Sequence, residues 1–122
     1  MSDRKFAVLV NADTDEPSQL ANGLQYAVDL DDSGFHVEVY FDGAATDWIP
    51  VFRENPEHAI KSYYDEVYER DLVAGVCGYC ATAHDVDEAA REEGLELSGG
   101  EDDHGPDVGA LAADGYEFIT VG

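Results

Sequence analysis

Residues 5–11 (KFAVLVN) form an unbroken apolar run with β-branched side chains, which predicts a strand buried on both faces of a parallel sheet. A polar loop follows over residues 11–16. Asp15 and Pro17 then predict a helix start, because a proline in the first turn leaves no N–H unpaired. Leu20, Leu24, Ala27 and Val28 recur at helical spacing through Leu30, although Asn22-Gly23 weighs against an unbroken helix. Residues 35–41 (FHVEVYF) alternate apolar and polar, so they read as a second strand with one less buried face. Beyond Asp42-Gly43, Thr46 or Asp47 is placed to cap a short helix carrying Trp48, Ile49, Val51 and Phe52. Asn55-Pro56 predicts the opening of a firmer helix with Ile60, Tyr63, Tyr64, Val67 and Tyr68 on its apolar side, a stripe suited to a core or a subunit interface.

The second half repeats the alternation. Residues 72–76 (LVAGV) predict a third buried strand, ending at Cys77-Gly78-Tyr79-Cys80. Residues 81–84 continue as a helical piece, and Asp85 with Glu88 resembles a capping box for a helix over residues 86–93 closed by Gly94. Residues 95–97 predict a short fourth strand, residues 98–106 (SGGEDDHGP) have the composition of a mobile loop, residues 107–114 form an Ala-rich helix stopped by Gly115, and residues 116–121 the last strand. Without repeats or a linker, this order predicts one α/β domain over residues 1–122, an open parallel sheet with helices on both faces. Ligands in such sheets meet the carboxyl ends of the strands. The loops at residues 11–16, around Trp48, at the cysteine pair and around His104 are therefore expected on one rim.

Charge narrows the partners. The 28 Asp and Glu face only 6 Lys and Arg, a formal net charge of −22 with the sequence pI near 4.1. Nucleic acid and anionic membrane surfaces are excluded as partners, since both are held by Lys and Arg meeting phosphates. With 44% hydrophobic residues the chain is nevertheless rich enough to fold. The acidity is spread along the whole chain and Asp outnumbers Glu, as in the proteins of salt-loving organisms. Its start runs directly into a strand rather than into a leader core, so a cytoplasmic location is expected.

Two cysteines in a reducing compartment point to redox, metal or nucleophile chemistry rather than to a structural disulfide. Cys77 and Cys80 stand where a buried strand gives way to a helix start, where free N–H groups favour a thiolate. His84 is close enough in sequence to serve as their proton partner. His104 belongs to the loop after the fourth strand and could close over the same rim, while His36 and His58 read as structural or surface residues. Three functions remain open on these residues. They are a carrier of sulfane sulfur as a persulfide, a dithiol oxidoreductase or redox sensor, and a metal or small-ligand module using the cysteines with His84 and His104. The chain has no GxGxxG, GxxxxGK[ST] or GxSxG, and no cofactor is expected.

VCGYCATA at the end of the third strand, GLELSGG, the acidic loop with His104 and the terminal DGYEFITVG together resemble the DsrE/DsrF-like sulfur-relay proteins, which include the TusD-type sulfur carriers. The likeness follows the element order of nearly the whole chain and is most specific over residues 72–121. It implies a five-stranded parallel sheet in a three-layer α/β/α fold, a homo-oligomer (trimer or hexamer), and protein partners that donate and accept sulfur. It further implies a persulfide on Cys77, which Cys80 could resolve. The chain departs from the family pattern at Ala83-His84-Asp85, where relatives often carry an Arg or an aromatic residue followed by Gly.

At molar salt the Debye length falls to about 3 Å, which screens most of the self-repulsion of such a surface. The thermal midpoint followed by circular dichroism is expected to rise by several degrees between dilute buffer and molar KCl. A midpoint that does not move with salt would contradict the reading of a salt-adapted surface.

Overall fold

A computed structural model describes residues 3–122. The apolar runs become five strands, β1 (Lys5–Val10), β2 (His36–Phe41), β3 (Val73–Cys77), β4 (Leu97–Ser98) and β5 (Tyr116–Val121). All pair in parallel, in the order β4-β3-β2-β1-β5. The helices are α1 (Pro17–Asp32), α2 (Trp48–Glu54), α3 (Lys61–Glu69), α4 (Gly78–Ala83), α5 (Asp87–Glu92) and α6 (Val108–Ala113), with a single 3-10 turn over Gly43–Asp47 before α2. The first three crossovers step the same way across the sheet, so right-handed connections put α1 to α5 on one face. The return from β4 to β5 runs the opposite way and carries α6 to the other face. The result is the expected three-layer α/β/α arrangement.

The core lies under the first layer. Val8, Val10, Val39, Phe41 and Val76 from the sheet meet Leu20, Leu24, Ile49, Trp48, Phe52 and Tyr64 from the helices, all fully or almost fully buried. Phe52 stacks between Trp48 (centroids 5.2 Å) and Tyr64 (5.0 Å), and Tyr64 meets Phe41 edge-on at 6.1 Å. The polar ends of these rings are satisfied, with the Trp48 indole N–H donating to the Ala12 carbonyl at 2.8 Å and the Tyr64 hydroxyl to Glu93 at 3.1 Å. Of the tyrosine stripe, Tyr64 is buried while Tyr63 and Tyr68 remain exposed.

Several boundaries differ from the sequence expectation for identifiable reasons. α1 runs unbroken through Asn22-Gly23, because Gly23 is where the helix presses onto β5: a Cβ there would lie 2.6 Å from a Val121 methyl. Residues 55–60 form successive turns instead of opening α3, as the His58 ring packs against Trp48 and Phe52 at 5.6 and 5.7 Å and its Nδ1 accepts the Ile60 N–H. The capping box at Asp85 does not form. Asp85 takes a left-handed conformation (φ 63°), and the Val86 and Asp85 amides bond back to Ala81 and Thr82, so this aspartate ends α4 rather than starting α5. β3 and β4 each sit one or two residues later than expected, which brings Cys77 into the sheet opposite Ser98 and frees Leu95 to enter the core.

Gly23→Ala should gain helix propensity of about 1 kcal/mol and lose more than that through the clash with Val121, for a net destabilisation of about 1–2 kcal/mol. Denaturant unfolding in molar salt measures it, and a stabilised variant would mean that α1 does not seat on β5 as described.

Candidate functional site

The parallel sheet delivers the loops after β1, β2, β3 and β4 to its carboxyl edge, and contacts tie them together. Trp48 reaches the β1 loop through Ala12, the Cys80 thiol donates to Asp42 Oδ1 of the β2 loop at 3.5 Å, and His104 reaches both cysteines from the β4 loop. Cys77 is at once the last residue of β3 and the residue that caps α4. Its side chain is buried, and its Sγ accepts the Cys80 amide N–H at 3.4 Å. One turn later Cys80 is half-buried.

The two thiols differ in their surroundings. Burial pushes the Cys80 thiol up to about 12, its hydrogen bond to Cys77 adds to this, and the Gly43 amide opposes it only in part. Asp42, which also accepts the Gly43 N–H at 2.8 Å, pushes the same way. Cys80 therefore holds its proton across the neutral range.

His104 arrives by a close passage of backbone over backbone. A Cβ on Gly78 would fall 1.4 Å from the Gly100 carbonyl oxygen, and one on Gly105 would fall 2.4 Å from the Ser98 carbonyl carbon, so only glycine lets the loop lie on the start of α4. The loop that composition alone marked as mobile is held by the Tyr79 amide donating to Asp103 at 3.0 Å, by Gly100 donating to Leu97 at 3.1 Å, and by the Arg91–Glu101 pair. Tyr79 packs against the His104 ring with centroids 4.3 Å apart. His104 Nδ1 then stands 3.7 Å from Cys77 Sγ and 3.9 Å from Cys80 Sγ. These three ligand-capable atoms all lie within 4.8 Å of one another.

His84 is directed elsewhere. It closes the far end of α4 and pairs with Asp47 at 3.2 Å, outside the group formed by the sulfurs and His104. The structure thus joins Cys77 and Cys80 with His104 and Asp42. Asp42 carried no sequence signal beyond an Asp-Gly step after a strand. His58 is part of the aromatic packing, and His36 belongs to a separate cluster on the α6 side of the sheet, where Glu38 takes hydrogen bonds from Tyr40 and Tyr116 and lies 2.6 Å from His36 Nε2. Burial works against the Glu38 charge, and these bonds outweigh it and hold its carboxyl below the usual range. That cluster closes on itself through its own hydrogen bonds.

No family model matches the sequence, and no curated protein matches it either. Among solved structures, a conserved protein of unknown function from Bacteroides thetaiotaomicron is similar in fold, with a TM-score of 0.70 over 95% of this chain and 93% of that one, at 15% identity. The likeness is one of fold.

Because burial and its neighbours push the Cys80 thiol up to about 12, its alkylation by iodoacetamide should keep rising about tenfold per pH unit from pH 9 to 11 in the folded protein. Peptide mapping reads the rate at Cys80, with the denatured chain levelling off near pH 9 as the control. A folded protein that also levels off there would contradict the geometry around this thiol.

Proposed function

We propose that the chain is a sulfur carrier of the sulfurtransferase type, holding sulfane sulfur as a persulfide on Cys77 and passing it to a partner protein. The observation that carries this reading is the position of a buried strand-end sulfur with an imidazole nitrogen 3.7 Å away and a protonated thiol one helical turn on. In the loading step His104 takes the Cys77 proton, and the sulfur attacks the terminal sulfur of a donor persulfide, R–S–SH. The new S–S bond forms on Cys77 as the donor's own S–S bond breaks, and the donor leaves as R–S⁻, which takes up a proton. Burial of Cys77 shields the product from water and stray thiols. Release to an acceptor thiolate transfers the outer sulfur and restores Cys77. In the absence of an acceptor, Cys80 gives its proton to the His104 imidazole 3.9 Å away and attacks the inner sulfur, closing a Cys77–Cys80 disulfide and expelling hydrosulfide. The resemblance of residues 72–121 to the sulfur-relay family supports the same reading, and with it donor and acceptor proteins as partners and a trimer or hexamer as the assembly.

A dithiol oxidoreductase uses the same pair, and intact-mass spectrometry separates the two. Metal-stripped protein exposed to a sulfane-sulfur donor in molar salt should gain one sulfur that reductant removes. Cys77→Ser should abolish the gain, Cys80→Ser should prolong it, and His104→Ala should slow loading by about tenfold or more. If Cys80→Ser gains no sulfur and the only mass change is the loss of two hydrogens in wild type, the carrier reading fails and disulfide exchange replaces it.

A further inference from the structure

Cys77, Cys80 and His104 present two sulfurs and one imidazole nitrogen from a strand end, a helix and a loop, with all three atoms within 4.8 Å of one another. We infer that these residues form a site for a soft d10 cation, zinc above all, with three protein ligands and one exchangeable position. The distances carry the inference. Zinc bonds of about 2.3 Å to sulfur and about 2.0 Å to nitrogen put tetrahedral ligand atoms about 3.5 Å apart along each S···N edge. The two S···N distances are 3.7 and 3.9 Å, so these edges meet a cation with shifts of a few tenths of an ångström, and the two sulfurs lie within 4.8 Å of each other.

The charge distribution points the same way. Each of the six Lys and Arg side chains is engaged by carboxylates, Arg4 by Glu117, Lys5 by Asp114, Arg53 by Glu92 and Glu93, Lys61 by Asp65, Arg70 by Asp31, Asp32 and Glu66, and Arg91 by Asp87 and Glu101. Among the described residues no Lys or Arg is paired with either cysteine, so two thiolates at this rim, beside Asp42, would be balanced by a divalent cation. On binding, each thiol yields its proton to solvent and its sulfur to the metal. A backbone amide is already aimed at the deeper sulfur, Cys80 N–H at Cys77 Sγ, as suits a coordinated thiolate. Asp42 lies against Cys80 but outside the mutually close set, which leaves the fourth position to water or a small anion. Thiolate and imidazole donors select zinc or copper(I) over magnesium or calcium.

The inference does not rest on sulfur carriage, although the two uses of Cys77 exclude each other at any moment. The test is titration of untagged, reduced, metal-stripped protein in molar KCl with zinc against a chromophoric chelator. A parallel titration with cobalt(II) reads the thiolate-to-cobalt charge-transfer band. Wild type and His84→Ala should bind about one zinc per chain. His104→Ala should bind at least about tenfold more weakly, and Cys77→Ser and Cys80→Ser should each lose about half of the cobalt band, with circular dichroism checking that each variant is folded. Zinc far below one per chain in wild type, equal weakening by His84→Ala and His104→Ala, or a cobalt band indifferent to both cysteine substitutions overturns the site. Sulfur loading is measured on the metal-stripped protein, so loading without zinc binding sinks only this inference, and zinc binding without loading sinks only the carrier.

Discussion

The arrangement at the rim depends on the contact between Gly78 and Gly100. A side chain at Gly78 would occupy the space of the Gly100 carbonyl, so the loop after β4 can lie on the first turn of α4 only because glycine stands there. That contact sets the height of the loop above the sheet. It lets the Tyr79 amide reach Asp103, and so carries His104, the next residue, to within 3.7 Å of Cys77. The chemistry of two residues in the third crossover is thereby set by a loop belonging to the fourth. Lifting the loop by the width of a methyl group would leave two thiols and no imidazole.

The sheet makes that meeting possible. Its parallel strands bring every carboxyl-end loop to one edge, and the order β4-β3-β2-β1 sets the β2 and β4 loops on either side of the cysteines. Asp42 approaches Cys80 from one flank and His104 approaches both sulfurs from the other. The two cysteines become unequal as a result. Burial, the bond to Cys77 and the neighbouring carboxylate hold Cys80 as a thiol, and Cys77, set deeper at the strand end, is the sulfur slightly nearer the imidazole.

Acidity shapes the rest of the surface. Arg4, Lys5, Arg53 and Arg70 are spent on ion pairs that join distant parts of the chain, such as Arg70 to the end of α1 and Arg53 to the end of α5, while Lys61 and Arg91 pair with carboxylates near them in sequence. Most carboxylates are left facing water, where salt rather than a partner side chain relieves their repulsion.

Much of the architecture was legible along the chain because it depends on local pattern. Apolar runs at residues 5–11 and 72–76, alternation at residues 35–41 and the spacing of Leu20, Leu24 and Ala27 each specify an element through the period of its buried face. The cysteine pair announced itself by its place between a buried strand and a helix. Where reading by neighbourhood failed, long-range packing had replaced a local rule: Gly23 looked like a break until Val121 was found against it, and Asp85 looked like a cap until α4 turned on it. The choice of histidine is the sharpest case. His84 is near the cysteines in sequence, yet α4 carries it away to Asp47, while His104, far along the chain, is brought back by the loop. Sequence alone determined the α/β alternation, the acidity and the thiols, since these are written in period and composition. Tertiary structure decided which imidazole and which carboxylate the thiols meet, because that depends on how closely two backbones pass.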